Sequence, residues 1–474
     1  MYGDTLRFDG LTALSKVEGR VRKVSPARKA PSPSPATAGK PLPPGEGKGE
    51  RLRRSFSYRN INKVSDGAMS SSSECRSEPS IFEMASRVFD GWDDPETGLA
   101  VLKVATADRQ VCPFVPAGAT WHTLYHQCRS ILEGGRKVLL IASRPAGLSP
   151  SHWPGGEVLM DLTSGEVTRP FPDKHQVVDV DDATNIAVLL TTDAGVKKTL
   201  LWDIKGQTVL AASALPGWHT AAAKLLSDGR RMIAGFYLGR WRRGKCHTRF
   251  YLVYPGGKAE QILDADGYFC NHVVGCPTDP DLYAYNRWPT PDRWVKTVNH
   301  IRSVDGSFET PLPLLPDTVR PGPVLDGQRD HYVWTPDGTR IASYLLPYWE
   351  DMRANHYTYR WWITVMNWRT GEDLCVPYPP ERWGGHFQAT WDSRYLVSGG
   401  GQRFDYLYAI DIEGLRSGWN ERLLCRYPPS PLDQYGASCN HHPLVLPDMS
   451  GVLFTAGHET PEHGVFLVEW PRKW

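Results

Sequence analysis

The stretch Thr335-Pro336-Asp337-Gly338-Thr339-Arg340-Ile341-Ala342 decides the fold of this chain. Its Pro-Asp-Gly turn leads directly into a short strand-like segment, which is the sequence signal of a β-hairpin. Related turns recur along the chain, for example at Trp391-Asp392-Ser393 and Pro447-Asp448-Met449. Seven such units stand roughly 44 to 58 residues apart, in the range of β-propeller repeats. The sequence therefore predicts an all-β protein, a seven-bladed β-propeller.

The repeat gives the domain boundaries. We predict a propeller over residues 88–474, in which Gly98 to Ala105 supply the strand that completes the last blade and closes the ring. Residues 1–80 are rich in Pro, Ser and Arg and are predicted to form a disordered tail, because they cannot bury enough apolar surface. Two smaller β-domains are the alternative arrangement.

The composition of the chain indicates which partners and which cell compartment to expect. The chain has 474 residues and a formal net charge of +2, which argues against a nucleic-acid partner for the molecule as a whole. The basic tail is interpreted as solvated, the alternative being a weak nucleic-acid or membrane contact. Nine cysteines without a Cys-x-x-Cys pair, no secretion signal and no membrane-length apolar run predict a cytoplasmic protein with no membrane partner.

Four histidines occupy one place in the repeat. His331 stands four residues before the turn at Thr335, and His272, His386 and His442 precede the corresponding turns of their own units. His122 fits the same register in the first unit. Because the innermost strands of all blades line one channel, we expect these imidazoles to converge, which suits a divalent metal ion, a general base or both. The alternative is that each histidine caps its own strand.

Arginines and tryptophans form two further candidate groups. Arg240 and Arg249 flank one connection, and a guanidinium can bind a carboxylate through two hydrogen bonds. A solvated basic loop is the alternative for Arg240. Tryptophans in loops such as Arg287-Trp288-Pro289 could stack on sugar rings, although aromatic residues in a β-protein are usually part of the core.

From about Trp92 to Pro471 the chain resembles the oligogalacturonate lyases, which are seven-bladed propellers. The resemblance rests on short motifs in a shared order: Asp93-Asp94-Pro95-Glu96-Thr97-Gly98, His122-Thr123-Leu124-Tyr125, His247-Thr248-Arg249, His272 before Pro277-Thr278-Asp279-Pro280, His331 before Pro336-Asp337-Gly338, His386, and Asn440-His441-His442-Pro443.

The resemblance implies metal-assisted β-elimination on a 4-linked galacturonate or a related uronate, as in pectin degradation. By similarity, His272 is the base that removes the proton from carbon 5, and Arg249 holds or polarises the substrate. His331 and His442, with His441 and Asn440, are the expected ligands of a divalent metal ion, which is manganese in that family. His386, His122 and Arg240 are the expected contacts to a uronic-acid oligosaccharide.

Two departures from the family pattern affect the metal and the substrate. The family ends with a Gln, two residues and His-Pro-His-Pro, whereas Ala437, Asn440, His441 and His442 stand here; His441 or Gln434 could substitute. The family segment Cys-His-Glu-Gly is replaced by Tyr285-Asn286-Arg287-Trp288. A non-catalytic propeller that binds carbohydrate or protein is therefore the alternative function. A peptidase propeller is disfavoured, because no hydrolase domain follows it.

Overall fold

The structure is a computed structural model, and its described residues begin at Glu78. They comprise 78–107, 111–112, 115, 118–125, 127–143, 156–173, 175–240, 245–289, 298–312, 324–349, 361–379, 386–399, 406–426, 442–456 and 463–472. The predicted tail falls almost entirely outside them.

Seven antiparallel sheets follow one another along the chain, and the prediction of a seven-bladed propeller is confirmed. The strands of each blade are as follows: blade 1, β3 (Thr120–Thr123), β4 (Ile131–Leu132), β5 (Lys137–Ser143), β6 (Glu157–Asp161) and β7 (Val167–Thr168); blade 2, β8 (Gln176–Asp181), β9 (Ile186–Asp193), β10 (Val196–Asp203) and β11 (Thr208–Ala214); blade 3, β12 (His219–Leu225), β13 (Met232–Arg240), β14 (Lys245–Val253) and β15 (Ala259–Asp266); blade 4, β16 (Tyr268–Cys276), β17 (Asp279–Pro289), β18 (Val298–Ser303) and β19 (Glu309–Pro311); blade 5, β20 (Val324–Trp334), β21 (Arg340–Trp349), β22 (Trp362–Asn367) and β23 (Asp373–Pro377); blade 6, β24 (Gln388–Ala389), β25 (Tyr395–Gly399), β26 (Tyr406–Asp411) and β27 (Glu421–Arg426); blade 7, β28 (Leu444–Val445), β29 (Gly451–Ala456) and β30 (Gly464–Glu469), with β1 (Gly91–Asp93) and β2 (Ala100–Thr106).

The turn that identified the repeat is held by its aspartate. Oδ1 of Asp337 accepts hydrogen bonds from the Thr335 hydroxyl at 2.6 Å and the Thr339 amide at 3.0 Å. Gly338 follows with φ +67°, a left-handed conformation that glycine adopts at little cost. Asp392 accepts in the same way from the Thr390 hydroxyl, so the same local chemistry ends the first strand of two successive blades.

The ring is closed by strands from both ends of the described chain. β2 pairs with β30, with Leu102 opposite Leu467, and β1 extends the same sheet. The predicted closing strand over Gly98 to Ala105 is thus confirmed, one or two residues later than expected. This pairing removes the two open sheet edges that an unclosed ring would expose.

A short helix, α1 (Ile81–Ala85), fastens the closing blade. Ser80 caps it in a capping box with Glu83, and the Ile81 amide donates to Asp448 Oδ2 at 2.8 Å. Phe82 is 6% exposed and lies in the core cluster shared by blades 7 and 1. No helix among the described residues is long and apolar enough to cross a membrane.

The first strands of the blades face one another at the centre of the ring. Strand β12 contacts β8 and β16, β16 contacts β20, and β24 contacts β20 and β28. The apolar clusters lie between neighbouring sheets; one, for example, joins Phe250 of blade 3 to Tyr283 and Tyr285 of blade 4. The residues at the start of each blade therefore share one axis, which is the condition for the predicted histidine cluster.

We expect Phe82→Ala to lower the free energy of unfolding by about 3–5 kcal/mol, because the substitution leaves a cavity between the closing blade and blade 1. Urea denaturation followed by tryptophan fluorescence measures this. The exposed neighbour Arg87→Ala is the matched control and should change stability by less than about 0.5 kcal/mol. Equal effects of both variants would show that α1 contributes nothing to ring closure.

Candidate functional site

Two of the histidines occupy β-bulges in the first strand of their blades. In β16 the register with β17 runs from Asn271 opposite Asn286 to Val274 opposite Ala284, so His272 and Val273 stand opposite one residue. In β20 the same offset places His331 and Tyr332 opposite Ser343. His272 has φ +50° and His331 φ +48°. This is the geometry in which glycine usually begins a bulge, and a β-bulge redirects a side chain out of the sheet.

The other two histidines precede a short first strand. His386 stands before β24, and His442 before β28 with φ +37°. A left-handed backbone is costly for a residue with a Cβ, and such conformations concentrate at functional sites. Three of the four histidines carry this cost, each at the start of its own blade.

The four imidazoles meet at the axis around one tyrosine. The ring centroids of His272 and His331 lie 5.3 Å apart, those of His331 and His386 4.6 Å, and those of His386 and His442 4.7 Å. Tyr125 contacts each of them, at centroid distances of 5.9, 6.1, 5.5 and 5.1 Å in the same order. The expected convergence of these four histidines is therefore found in the structure.

Tyr125 reaches the axis because the first strand of blade 1 is interrupted. The chain leaves its pairing with β5 after Thr123, opposite Leu140, and rejoins it at Ile131, opposite Val138. The partner strand advances by only two residues over this interval. We call the excursion between Thr123 and Ile131 the axial loop.

The axial loop is anchored on blades at opposite sides of the channel. Gln127 Nε2 donates to the Tyr332 carbonyl of blade 5 at 2.7 Å. Lys224 of blade 3 donates to the Gln127 carbonyl at 3.0 Å. Arg129 pairs with Asp179 and Asp181 of blade 2, at 3.2 and 3.0 Å. These contacts fix the backbone on the C-terminal side of Tyr125.

His442 holds the other side of the axial loop and is itself oriented by it. Its Nδ1 lies 3.2 Å from the Leu124 carbonyl, and its own carbonyl accepts from the Thr123 hydroxyl at 2.8 Å. Because a carbonyl only accepts, Nδ1 carries the proton and the neutral ring has its lone pair on Nε2. Backbone carbonyls that accept from Nδ1 orient metal-binding and basic histidines in this way.

His272 is backed by two buried amides. Nδ2 of Asn286 lies 3.0 Å from His272 Nδ1, and Asn299 hydrogen-bonds to Asn286 from the next strand. Both asparagines are fully buried. The Tyr332 hydroxyl donates to the His272 carbonyl. The contact with Asn286 engages Nδ1, so Nε2 is the nitrogen on the opposite side of the ring.

The imidazole set was tested for a divalent ion. Two imidazoles on one ion, each bound through a nitrogen about 2.1 Å away, hold their ring centroids about 4.5–5.2 Å apart. Two neighbouring pairs, His331–His386 at 4.6 Å and His386–His442 at 4.7 Å, match this spacing. No group of three or more His, Cys, Asp or Glu side chains among the described residues is placed to hold a metal ion. The histidines therefore fit a divalent ion by donor type and by the spacing of neighbouring rings, but not as a set of three.

Arg249 does not lie in the histidine cluster. It stands on β14, the third strand of blade 3, where its Nε donates to Asp264 Oδ2 at 3.1 Å and its guanidinium covers Trp218 at 5.1 Å. His247 also hydrogen-bonds to Asp264, and these contacts lower the pKa of that carboxyl. Asp264 lines a polar cavity of about 280 Å³ between blades 3 and 4. Arg249, which was expected to hold or polarise the substrate, lies on the third strand outward from the axis.

The other residues predicted to bind substrate or metal do not lie in the histidine cluster as described. His122 contacts His463 at a centroid distance of 4.6 Å and lies 3.3 Å from the Thr120 hydroxyl, while Tyr125 takes the axial position of blade 1. The backbone of Arg240 ends β13, and its side chain is not among the described ones. His441 and Asn440 lie outside the described residues, as do Gln434 and Ala437.

No role was predicted for Tyr125 or Asn286 from the sequence. One signal for Tyr125 was present: His122 lies much farther from its turn at Gly134 than His331 lies from its turn at Thr335. An insertion between strand and turn accounts for that difference. Asn286 appeared only as a departure from the family pattern, and no spacing pairs it with His272.

We expect His331→Gly to be more stable than His331→Ala by about 0.5–1 kcal/mol, because alanine is strained at φ +48° and glycine is not. Urea denaturation of both variants measures the difference. The same pair at His300, in the regular strand β18, is the control and should show the opposite order. A His331→Ala protein at least as stable as His331→Gly would contradict the left-handed bulge.

Comparison with solved structures gives the same architecture. An oligogalacturonate lyase in complex with manganese matches with a TM-score of 0.61 and 15% identity, over 81% of this chain and 96% of that one. An oligogalacturonate lyase from Vibrio parahaemolyticus matches with a TM-score of 0.59 and 15% identity, over 81% and 97% of the two chains. Neither the models of protein families nor the curated protein sequences gave a match. At this identity the likeness shows a shared fold.

Proposed function

We propose that this protein is a lyase that cleaves a 4-linked uronate oligosaccharide by β-elimination. The observation that carries the proposal is the meeting of four histidines from four successive blades around Tyr125 on the propeller axis. The family motifs in the sequence support it, as do the two similar solved structures, which are oligogalacturonate lyases. A galacturonate oligomer from pectin is the first substrate to test.

The chemistry needs a base beside a weakly acidic proton. The hydrogen on carbon 5 lies next to a carboxylate, and a neutral imidazole is a suitable base near neutral pH. We assign this role to Nε2 of His272. For that role the proton of the neutral ring must sit on Nδ1 and be donated to the Asn286 side-chain oxygen. The Asn286–Asn299 pair can supply that oxygen if both amides turn over together, because the two ends of an amide have nearly the same shape.

The proposed reaction uses a divalent metal ion, and manganese is the first ion to test. His331 and His442 would hold it, with His386 between them, and the proton on Nδ1 of His442 leaves Nε2 as its donor. When bound, such an ion neutralises the substrate carboxylate and so stabilises the negative charge that develops on proton removal. Tyr344 stacks on His331 at 5.0 Å and holds that ring from the side of the sheet.

Arg249 is assigned a substrate contact outside the histidine cluster. Its guanidinium, on the third strand of blade 3, covers Trp218 and is paired with Asp264. An aromatic face beside a cation suits a further sugar unit of an acidic oligosaccharide. We therefore propose that Arg249 contacts the substrate away from the reacting bond.

A non-catalytic propeller that binds acidic carbohydrate is the second candidate. The specific observation in its favour is that the described side chains, as oriented, include no three-ligand metal group. The replacement of two family ligands by Ala437 and Asn440 points the same way. On this alternative, the cluster would hold a sugar carboxylate with no elimination.

We expect wild-type protein with manganese to produce the ultraviolet absorbance of a conjugated unsaturated uronate from at least one uronate oligosaccharide. His272→Asn should lower kcat by about 10²–10⁴-fold, because asparagine tolerates the left-handed backbone but cannot act as a base. His175→Ala, on blade 2, is the control and should keep full activity. A fully active His272→Asn protein would exclude the base assignment. An inactive but folded wild type would favour the binding function.

We expect the double variant His331→Gly with His442→Gly to bind Mn²⁺ more than about 100-fold more weakly than wild type, because loss of even an outer-shell partner costs about 10–100-fold. Isothermal titration with Mn²⁺ measures this without any substrate. Glycine suits the left-handed backbone at both positions, so the fold should be retained. Unchanged affinity in the double variant would place the metal ligands elsewhere.

A further inference from the structure

The position of Tyr125 carries an inference of its own. Its ring contacts all four clustered histidines. Its hydroxyl oxygen is buried, although the residue as a whole is partly exposed. The Tyr125 ring therefore lies in the same small volume as the four imidazoles.

Several hydrogen bonds and an ion pair hold the backbone on both sides of Tyr125 and so keep its ring at the axis. On one side, Leu124 accepts from His442, and Thr123 is bonded to Thr455 and to the His442 carbonyl. On the other side, Gln127 and Arg129 are bonded to blades 5 and 2. None of these contacts uses the Tyr125 side chain, so Tyr125→Phe leaves each of them in place.

β-Elimination needs a second proton transfer that the histidine base does not provide. When the bond from carbon 4 to its oxygen breaks, the departing sugar oxygen must gain a proton. A phenol has a pKa of about 10 and can donate to a developing alkoxide. The site thus offers two chemically different groups for two different transfers.

We propose that Tyr125 is the catalytic acid of the reaction, an inference that rests on the proposed function. His272 takes the proton from carbon 5, and the electron pair of that C–H bond forms the double bond between carbons 4 and 5. The bond from carbon 4 to the glycosidic oxygen breaks, and that oxygen takes the proton of the Tyr125 hydroxyl. The phenolate regains a proton from the His272 imidazolium, directly or through water, and both groups return to their starting state.

The experiment compares Tyr125→Phe with wild type on two uronate substrates. One carries a sugar on oxygen 4, and the other a nitrophenyl group, whose phenolate leaves without protonation. We expect kcat to fall by about 10²–10⁴-fold on the sugar substrate and by less than about tenfold on the nitrophenyl substrate. His272→Asn should lose activity on both. Tyr251→Phe, whose hydroxyl bonds to Gln261 on the outer part of blade 3, is the control and should lose none.

The outcomes separate the two proposals. An equal loss on both substrates would make Tyr125 a structural residue, and full activity of Tyr125→Phe on the sugar substrate would remove it from the reaction. In either case the lyase function would stand. A folded wild type that eliminates neither substrate would overturn the lyase function and the role of Tyr125 together.

Discussion

A left-handed turn of the backbone at the start of successive blades is the constraint on which the site depends. In a regular strand, successive side chains point alternately to the two faces of the sheet, and both faces of a propeller blade pack against neighbouring blades. A histidine in such a strand would be buried between sheets. At His272 and His331, the extra residue of the bulge and the positive φ redirect the imidazole towards the axis. The cluster is thus a product of backbone geometry repeated from blade to blade.

The axial loop adds Tyr125 to the four imidazoles that meet at the axis. Blades 4 to 7 each supply one imidazole, whereas blade 1 supplies a longer segment that crosses to meet them. Its hydrogen bonds to blades 2, 3 and 5 tie the ring together from inside, while β1, β2 and α1 tie it from outside. The two sets of contacts differ in kind: the inner set consists of side-chain hydrogen bonds and ion pairs, and the outer set combines strand pairing with apolar burial.

Much of the architecture was accessible from the sequence because it depends on local chemistry. The turn at Asp337 and the closing strand before Ala105 are encoded by residues adjacent in the chain, and repetition made each prediction more secure. Convergence of the four histidines followed from the symmetry of the ring. Three features could not be predicted because they depend on how the strands pair. Tyr125 reaches the axis through an insertion, and Asn286 contacts His272 from the neighbouring strand. Arg249 lies away from the axis because β14 is the third strand of its blade. His122 was expected at the axis because its motif matched. The insertion that follows Thr123 places Tyr125 there instead.

The axial loop also changes what the centre of the ring consists of. A propeller channel is in principle a tunnel with two mouths, through which a long polymer could slide. Here the described residues between Thr123 and Ile131 are bonded to blade 7 on one side and to blades 2, 3 and 5 on the other, with Tyr125 among the histidines. The four imidazoles therefore face a segment of the protein's own chain across the axis, where an open tunnel would hold only solvent.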